Sequence, residues 1–313
     1  MSAGAGTGFT TDMGHNVHDV AADGYPDVFL GTGWPPEEHD DVLYRIEPDG
    51  QGGLLALDES VASGITAQGP TRCHGVSFGH VDDDGDIDIY LNLGGMAHNP
   101  DSVEANVLWA NQGNGRAWVA VDLVGSLSPR HPAGARTTLV SSADRAIHKL
   151  YRVGSGFGNT DSHTQHLGLG DEHMAKRLIV RWPSGVTQVV YHPSVEQRFT
   201  VVETGLLIEG DPAPGADLAL SLGGPAFHVA GLFFGFVPIE EPLPAFGGVL
   251  GILPPSIGPI AIPLGAKGVH RSVQTLPNDP GLTGLTLLAQ AWIHSPGVSP
   301  GGTLSQVQAL VFP

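Results

Sequence analysis

Apolar and polar residues alternate in short runs along most of the chain, and Gly or Pro separates one run from the next. A period of two places the apolar side chains on one face of a β-strand, whereas a helix repeats its apolar positions every three or four residues. Residues 118–124 and 217–222 show the two-residue period, and no long helical period is visible. The pattern therefore predicts an all-β protein made of short strands and tight turns.

The most regular polar pattern is a run of acids directly before an apolar strand. We call it loop 2, and it reads His80-Val81-Asp82-Asp83-Asp84-Gly85-Asp86-Ile87-Asp88. Calcium takes six to eight oxygen ligands at about 2.3–2.6 Å, and alternating carboxylates around a glycine turn point into one hollow. We therefore predict a Ca²⁺ site with side-chain ligands Asp82, Asp84 and Asp88 and a backbone carbonyl from Asp86. A solvated acidic turn without a metal is the simpler alternative.

The same pattern also occurs 61 residues earlier in the chain, at residues 19–27, and we call that copy loop 1. Its acids Asp19, Asp23 and Asp27 make it a second candidate metal site. Each copy lacks a different acid, because loop 2 has a histidine at its first position and loop 1 has an alanine at its third. The aligned pairs are Asp19 with His80, Ala21 with Asp82, Asp23 with Asp84, Gly24 with Gly85, and Asp27 with Asp88.

Both loops resemble the calcium loops of FG-GAP or VCBS repeats, which form the blades of integrin-like β-propellers. The resemblance implies a Ca²⁺ cofactor and places residues 1–105 in a partial β-propeller. In that family the first ligand is acidic, whereas loop 2 has His80 there. Residues 42–46 and 53–57 are predicted to be outer strands of the first blade. Two blades do not close a ring of about 4–8 blades, so we expect a fragment of a propeller.

Residues 106–205 carry a different set of motifs. Residues 178–182 and 186–190 flank Pro183-Ser184-Gly185, which predicts a β-hairpin. The region resembles the module of the ASPIC and UnbV family, which follows FG-GAP-like blades, as in cartilage acidic protein. That resemblance implies a secreted or surface β-protein associated with calcium. The matching pieces are Ser128-Pro129-Arg130, Gly134-Ala135-Arg136, Gly154-Ser155-Gly156-Phe157, Leu167-Gly168-Leu169-Gly170 and Trp182-Pro183-Ser184-Gly185.

Residues 206–313 form a third predicted domain, which begins before a linker at residues 211–215. Short strand-like runs separated by Gly and Pro favour a C-terminal β-sandwich. The region is similar in style to carboxy-terminal domains of large bacterial secreted repeat proteins. We see no candidate chemistry in it.

Composition narrows the classes of partner. The net charge of −18 disfavours nucleic acid, whose phosphates would be repelled, and suits a cation. Residues 243–266 carry no charge, but their prolines would break a helix repeatedly, so we predict no membrane span. The single cysteine, Cys73, excludes an internal disulfide. The first residues lack the pattern of a signal peptide, and we expect a truncated N-terminus.

Two serines stand in the Gly-X-Ser-X-Gly pattern of a hydrolase nucleophile, Ser77 and Ser299. Such a nucleophile needs a strand, a sharp turn and a helix within an α/β sheet, and Pro300 spoils the second match. We expect no enzyme. The alternatives are a hydrolase that uses Ser77, and a metal-dependent enzyme at His80 with copper or zinc held also by Asp82 and Asp84.

The function expected from the residues and the resemblance is binding. Calcium would stiffen the loops, and exposed loops would contact an extracellular protein or glycan, as in adhesion. A third possibility is a purely structural piece of a larger secreted protein, with no partner of its own.

Overall fold

The computed structural model describes residues 12–33, 38–95, 103–243, 248–253, 257–294 and 303–313. In these ranges the regular secondary structure is almost entirely strand, with short 3-10 helices at Ile65–Gln68 and Pro280–Leu282 and with turns and loops between the strands. The prediction of an all-β protein is confirmed. None of the described sheets closes on itself, and the propeller arrangement stays a prediction.

The chain divides into two compact units. Unit 1 comprises residues 1–120 and 152–173, and unit 2 comprises residues 121–151 and 174–313. Strand β8, numbered in chain order, runs from Ala117 to Val124 and passes from unit 1 into unit 2. The predicted boundaries near residues 105 and 205 rest on motifs and linkers, and they stay a prediction.

Unit 1 contains two antiparallel sheets that follow each other in sequence. Repeat 1 is a four-stranded sheet in chain order, and repeat 2 is a three-stranded sheet in chain order. The strands of repeat 1 are β1 (Asp12–His18), β2 (Asp27–Thr32), β3 (Val42–Pro48) and β4 (Leu54–Asp58). Those of repeat 2 are β5 (Cys73–Gly79), β6 (Asp88–Leu93) and β7 (Val107–Trp109). The predicted outer strands of the first sheet are therefore present as β3 and β4.

The two repeats share the same irregularity. The register of β1 on β2 shifts between Asp12 and Gly14, and that of β5 on β6 shifts between Cys73 and Gly75, again 61 residues later. After the shift, residues 14–18 pair with residues 27–31 in repeat 1, and residues 75–79 pair with residues 88–92 in the same register in repeat 2. A shared bulge at a shared offset indicates that the sequence repeat is also a structural repeat.

One apolar core joins the repeats within unit 1. Phe29 and Leu43 from repeat 1 pack with buried Val76, Ile89 and Leu91 from repeat 2. The inner strands approach closely, since a Cβ added at Gly14 would lie 2.7 Å from the Cα of Gly75. These glycines let two sheets pack against each other where a side chain would hold them apart.

The first part of unit 2 contains a four-stranded sheet in the order β10-β9-β12-β13. The predicted hairpin is confirmed, because Trp182 N donates to Val186 O at 2.8 Å and Gly185 N donates to Trp182 O at 3.0 Å. The strands of this part are β9 (Arg136–Ser141), β10 (Ala146–Leu150), β12 (Ala175–Arg181), β13 (Thr187–Tyr191) and β14 (Gln197–Val202). Strand β11 (Gln165–Gly170) belongs to unit 1.

A buried carboxylate ties two turns of unit 2 together. Glu203 is fully buried, and its Oε2 accepts the backbone N–H groups of Ser126 at 2.9 Å and Ser128 at 2.6 Å. Its Oε1 accepts the hydroxyls of Ser128 and Ser184. Four donors satisfy a charge that would otherwise be costly to bury.

The rest of unit 2 packs two sheets face to face, as predicted for a β-sandwich. One has the order β15-β16-β21, and the other has β20-β17-β22-β23 with β24 also paired to β22. Leu206 and Leu222 of the first sheet share one core with Leu232 and Ile293 of the second. The strands are β15 (Gly205–Glu209), β16 (Asp217–Gly223), β17 (Val229–Gly235), β18 (Pro238–Leu243), β19 (Gly248–Ile252), β20 (Ile257–Pro263), β21 (Val269–Thr275), β22 (Thr286–Ile293), β23 (Thr303–Leu304) and β24 (Gln308–Val311).

No helix in the described ranges has the length and apolar character needed to cross a membrane.

Candidate functional site

Loops 1 and 2 have the same backbone conformation at their turning points. Ala22 and Asp83 are both left-handed, with φ of 52° and 58°, and Gly24 and Gly85 follow with φ of 86° and 104°. Left-handed residues at the same two places turn the chain in the same way. The predicted alignment of the loops therefore holds in three dimensions.

The last acid of each loop binds backbone amides. Asp27 Oδ2 accepts the N–H groups of Val20 at 2.9 Å and Ala21 at 3.1 Å, and its Oδ1 accepts that of Ile46 at 2.9 Å. Burial is the first cause that raises the pKa of Asp27, to about 6. The carboxylate thus closes its loop and fixes it to β3.

Asp88 repeats this arrangement in loop 2. Its Oδ2 accepts the N–H of Val81 at 2.9 Å, and its Oδ1 accepts that of Asn111 at 3.0 Å. The side chain is buried. Of the three predicted side-chain ligands, Asp88 is therefore the one whose oxygens are both already bound to backbone amides, one within loop 2 and one at Asn111.

The remaining acids of loop 2 lie close to one another and nearer to solvent. Asp82 and Asp84 are exposed, and Asp84 Oδ1 accepts the N–H of Asp86 at 2.9 Å. The pKa of Asp86 is raised first by partial burial and then by the charges of Asp84, Asp88 and Asp82. Carboxylate oxygens gathered in one loop are the type of donor that a hard cation prefers.

No group of three or more His, Cys, Asp or Glu side chains in the described ranges is arranged as it stands to hold a metal ion. The loop 2 acids supply oxygen donors, which is the type of ligand that calcium takes, and the convergence of Asp82, Asp84 and Asp88 on one ion stays a prediction.

His80, at the first position of loop 2, lies in a cluster of rings. Its ring centroid is 4.8 Å from that of His166 and 5.4 Å from that of Trp118. His166 is buried, and its Nε2 is 2.8 Å from the carbonyl oxygen of Gly85. The cluster therefore supports the glycine turn of loop 2 from the side of β11, and a copper or zinc role for His80 stays a prediction.

Loop 1 is closed off more completely than loop 2. Asp19 is 7% exposed, and its two oxygens accept the N–H groups of Asp23 at 2.9 Å and Gly24 at 2.8 Å. Burial is the first cause that raises the pKa of Asp19, to about 7. Strand β11 lies over the loop, where Gly170 N donates to Ala22 O at 2.8 Å. A Cβ at Gly168 would overlap Asp19 and the Ala22 backbone, which explains one glycine of the Leu-Gly-Leu-Gly motif.

Two arginines neutralise the central acid of loop 1. Asp23 Oδ2 accepts Arg116 Nη1 at 3.3 Å and pairs with Arg45 Nη2 at 3.7 Å. The sequence pattern did not identify either arginine, because each lies more than 20 residues from the acid that it contacts.

The segment at residues 111–116, which we call the connector, contacts both loops. Asn111 N donates to Asp88 in loop 2, while Asn111 Nδ2 donates to Val20 O in loop 1 at 3.1 Å. Asn114 Nδ2 donates to Ala21 O at 2.7 Å. In the sequence, the connector stands out only as a polar, Gly-rich run between two apolar strands. Such a run predicts a loop but does not show which residues the loop contacts.

Ser77 lies inside β5, opposite Tyr90 of β6. A nucleophile of the Gly-X-Ser-X-Gly type sits on a turn between a strand and a helix, and the environment of Ser77 lacks that turn. Ser299 lies outside the described residues. No feature of the described residues indicates catalysis.

The comparison with protein families identifies a segment that lies mostly in unit 2. Residues 125–206 match the family model described as ASPIC and UnbV. The presence of the predicted ASPIC and UnbV module is thereby confirmed, while its predicted start at residue 106 lies outside the match. The match contains Ser126, Ser128, Ser184 and Glu203, so the hydrogen-bonded node of unit 2 lies inside it. The likeness of the two loops to FG-GAP or VCBS repeats, and of the whole to cartilage acidic protein, stays a prediction. No curated protein matches the chain.

Solved structures give distant matches. A tetra-tandem repeat from the extending region of a large adhesion protein is 10% identical over 96% of this chain and 74% of that chain, with a TM-score of 0.19. Escherichia coli alpha-2-macroglobulin activated by porcine elastase is 10% identical over 92% of this chain and 26% of that chain, with a TM-score of 0.21. Scores this low carry no argument about fold or function.

Proposed function

We propose that this chain is a non-catalytic, extracellular or surface β-protein that binds Ca²⁺ through loop 2 and uses its exposed loops to contact a protein or glycan. The observation that supports calcium is the gathering of acids in one short turn, where Asp84 Oδ1 accepts the N–H of Asp86 at 2.9 Å, and where partial burial, followed by repulsion from Asp84, Asp88 and Asp82, raises the pKa of Asp86. A divalent cation relieves such repulsion and offers oxygen coordination in exchange. Asp82 and Asp84, being exposed, are free to turn towards the ion without disturbing the core.

Calcium would act on stability, because only the folded loop assembles the carboxylates. An ion at about 100 times its dissociation constant adds about 2.7 kcal/mol to the free energy of unfolding. The loop then becomes a stiff surface, which lowers the entropy cost of contacting a partner.

The test is thermal unfolding of metal-free protein with Ca²⁺, with Mg²⁺ and with EDTA, alongside calcium titration calorimetry. Calcium should raise the Tm of the wild type, and Asp84→Asn should lose that increase. Asp83→Asn is the matched control, since it removes one charge from the same loop and Asn tolerates the left-handed backbone found there. A wild-type Tm that is the same in calcium and in EDTA would refute the calcium proposal.

The partner is tested separately. Arrays of glycans and extracellular matrix proteins, probed in calcium and in EDTA, should give binding that depends on calcium. An array without any binding would favour the purely structural role. Ester hydrolysis that is lost in Ser77→Ala would favour a hydrolase instead.

A further inference from the structure

Loop 1 differs from loop 2 in the charges that surround its acids. The central acid Asp23 has a side chain that is 13% exposed and contacts both Arg116 and Arg45. Its counterpart in loop 2, Asp84, is exposed. At the third position loop 1 has Ala21, which cannot supply a carboxylate. Loop 1 therefore offers fewer ligand charges and already has two positive charges beside them.

The backbone oxygens of loop 1 are occupied as well. Ala21 O accepts Arg116 Nη1 at 2.9 Å and Asn114 Nδ2 at 2.7 Å. A carbonyl oxygen has two lone pairs, and both are used here. The same guanidinium thus reaches one carboxylate and one carbonyl of the loop, which are the two kinds of oxygen that a calcium ion would take.

The first acid of loop 1 is also unavailable. Both oxygens of Asp19 accept N–H groups of the loop itself, and β11 covers the side chain at Gly168.

We infer that in loop 1 the guanidinium of Arg116 takes the place that calcium takes in loop 2, so that the chain binds one calcium ion rather than two. The statement about loop 2 rests on the proposed function, whereas the statement about Arg116 rests on the contacts of loop 1. Asp19, Asp23 and Asp27, predicted as metal ligands from the sequence, become acceptors for N–H groups of the protein. Arg116 is then a positioning residue that fastens loop 1 to the connector.

This arrangement links the two loops through Asn111. Its backbone N–H holds Asp88 of loop 2, its side chain holds Val20 O of loop 1, and Arg116 ends the same short segment. An ion in loop 2 therefore tightens a segment that loop 1 holds without a metal ion.

The experiment combines calcium stoichiometry with thermal unfolding of the full chain and of three variants. The wild type should bind one calcium ion. Arg116→Gln should lower the Tm by the same amount in EDTA and in calcium, and Arg116→Lys, which keeps the charge, should recover part of the loss. The double variant Ala21→Asp with Arg116→Gln restores the missing acid and removes the guanidinium, and it should bind one calcium ion more than the wild type. Arg130→Gln, at an exposed arginine of unit 2, is the control for loss of a positive charge.

Two calcium ions on the wild type would overturn the inference, as would a double variant that binds no additional ion. A wild type that binds no calcium would refute the proposed function alone. The role of Arg116 is then decided in EDTA, where a lower Tm for Arg116→Gln than for Arg130→Gln supports it and equal values overturn it. If Arg116→Gln does not fold, recovery of folding by Arg116→Lys supports the role of Arg116. If neither variant folds, the claim that the positive charge of the guanidinium holds loop 1 is overturned.

Discussion

Asp27 and Asp88 hold equivalent places in two sheets, 61 residues apart, and each carboxylate joins the start of its own loop to a segment further along the chain. Asp27 joins Val20 to Ile46, and Asp88 joins Val81 to Asn111. An aspartate at the first position of a strand is thus used twice for the same task. The acid that was predicted to bind an ion therefore has a structural role that needs no ion.

Replacing Asp88 by Ala should cost about 2–4 kcal/mol of the free energy of unfolding, because two backbone N–H groups lose their acceptor at a buried position. The measurement is urea unfolding in EDTA, so that bound calcium makes no contribution. Asp82→Ala is the control, since Asp82 is an exposed acid of the same loop and should change the midpoint little. Equal midpoints for the two variants would show that Asp88 does not hold the loop.

Replacing Glu203 by Gln should also cost about 2–4 kcal/mol, because the amide nitrogen would meet N–H and O–H donors where an oxygen now accepts them. The loss of stability is measured by urea unfolding, monitored with a spectroscopic signal that comes from unit 2. The exposed Glu209 supplies the matched control Glu209→Gln. A Glu203→Gln variant as stable as Glu209→Gln would mean that the node of serines does not depend on the charge.

The stability of unit 1 should fall as the pH rises. Burial raises the pKa of Asp19 to about 7, and that of Asp27 and Asp41 to about 6, from 3.8 in the unfolded chain. Between about pH 4 and pH 7 the folded chain therefore holds protons that the unfolded chain has released, so the free energy of unfolding decreases with pH in that window. Each such group contributes at most about 1.4 kcal/mol per pH unit.

The measurement is urea unfolding at pH 5 and at pH 8 in EDTA. The wild type should be less stable at pH 8, and Asp19→Asn, which carries no charge at either pH, should show a smaller difference. Asp171→Asn, at an exposed position, should behave as the wild type does. A wild type that gains stability from pH 5 to pH 8 would contradict the sign of this prediction.

The hairpin around Pro183-Ser184-Gly185 and the strands of the sandwich were predictable because local pattern decides them. A Pro-Ser-Gly turn between two alternating runs has few other folds open to it. By contrast, the ends of the compact units were not predictable, because β8 continues without interruption across the boundary after Ala120. Strand patterning carries no information about which neighbours a strand will pack against.

The sequence by itself determined the two acidic loops and their glycine turns, because each of these depends on residues within nine positions of each other, and the 61-residue spacing of the loops can be read directly from the sequence. Only the tertiary structure decided that Arg116 reaches Asp23, that Asn111 joins both loops and that β11 buries Asp19. Apart from the bond between Asn111 and Asp88, these contacts bring together segments more than 90 residues apart. They form when the apolar core of unit 1 packs together. No local pattern records such contacts, which is why two loops with similar sequences have different electrostatic surroundings.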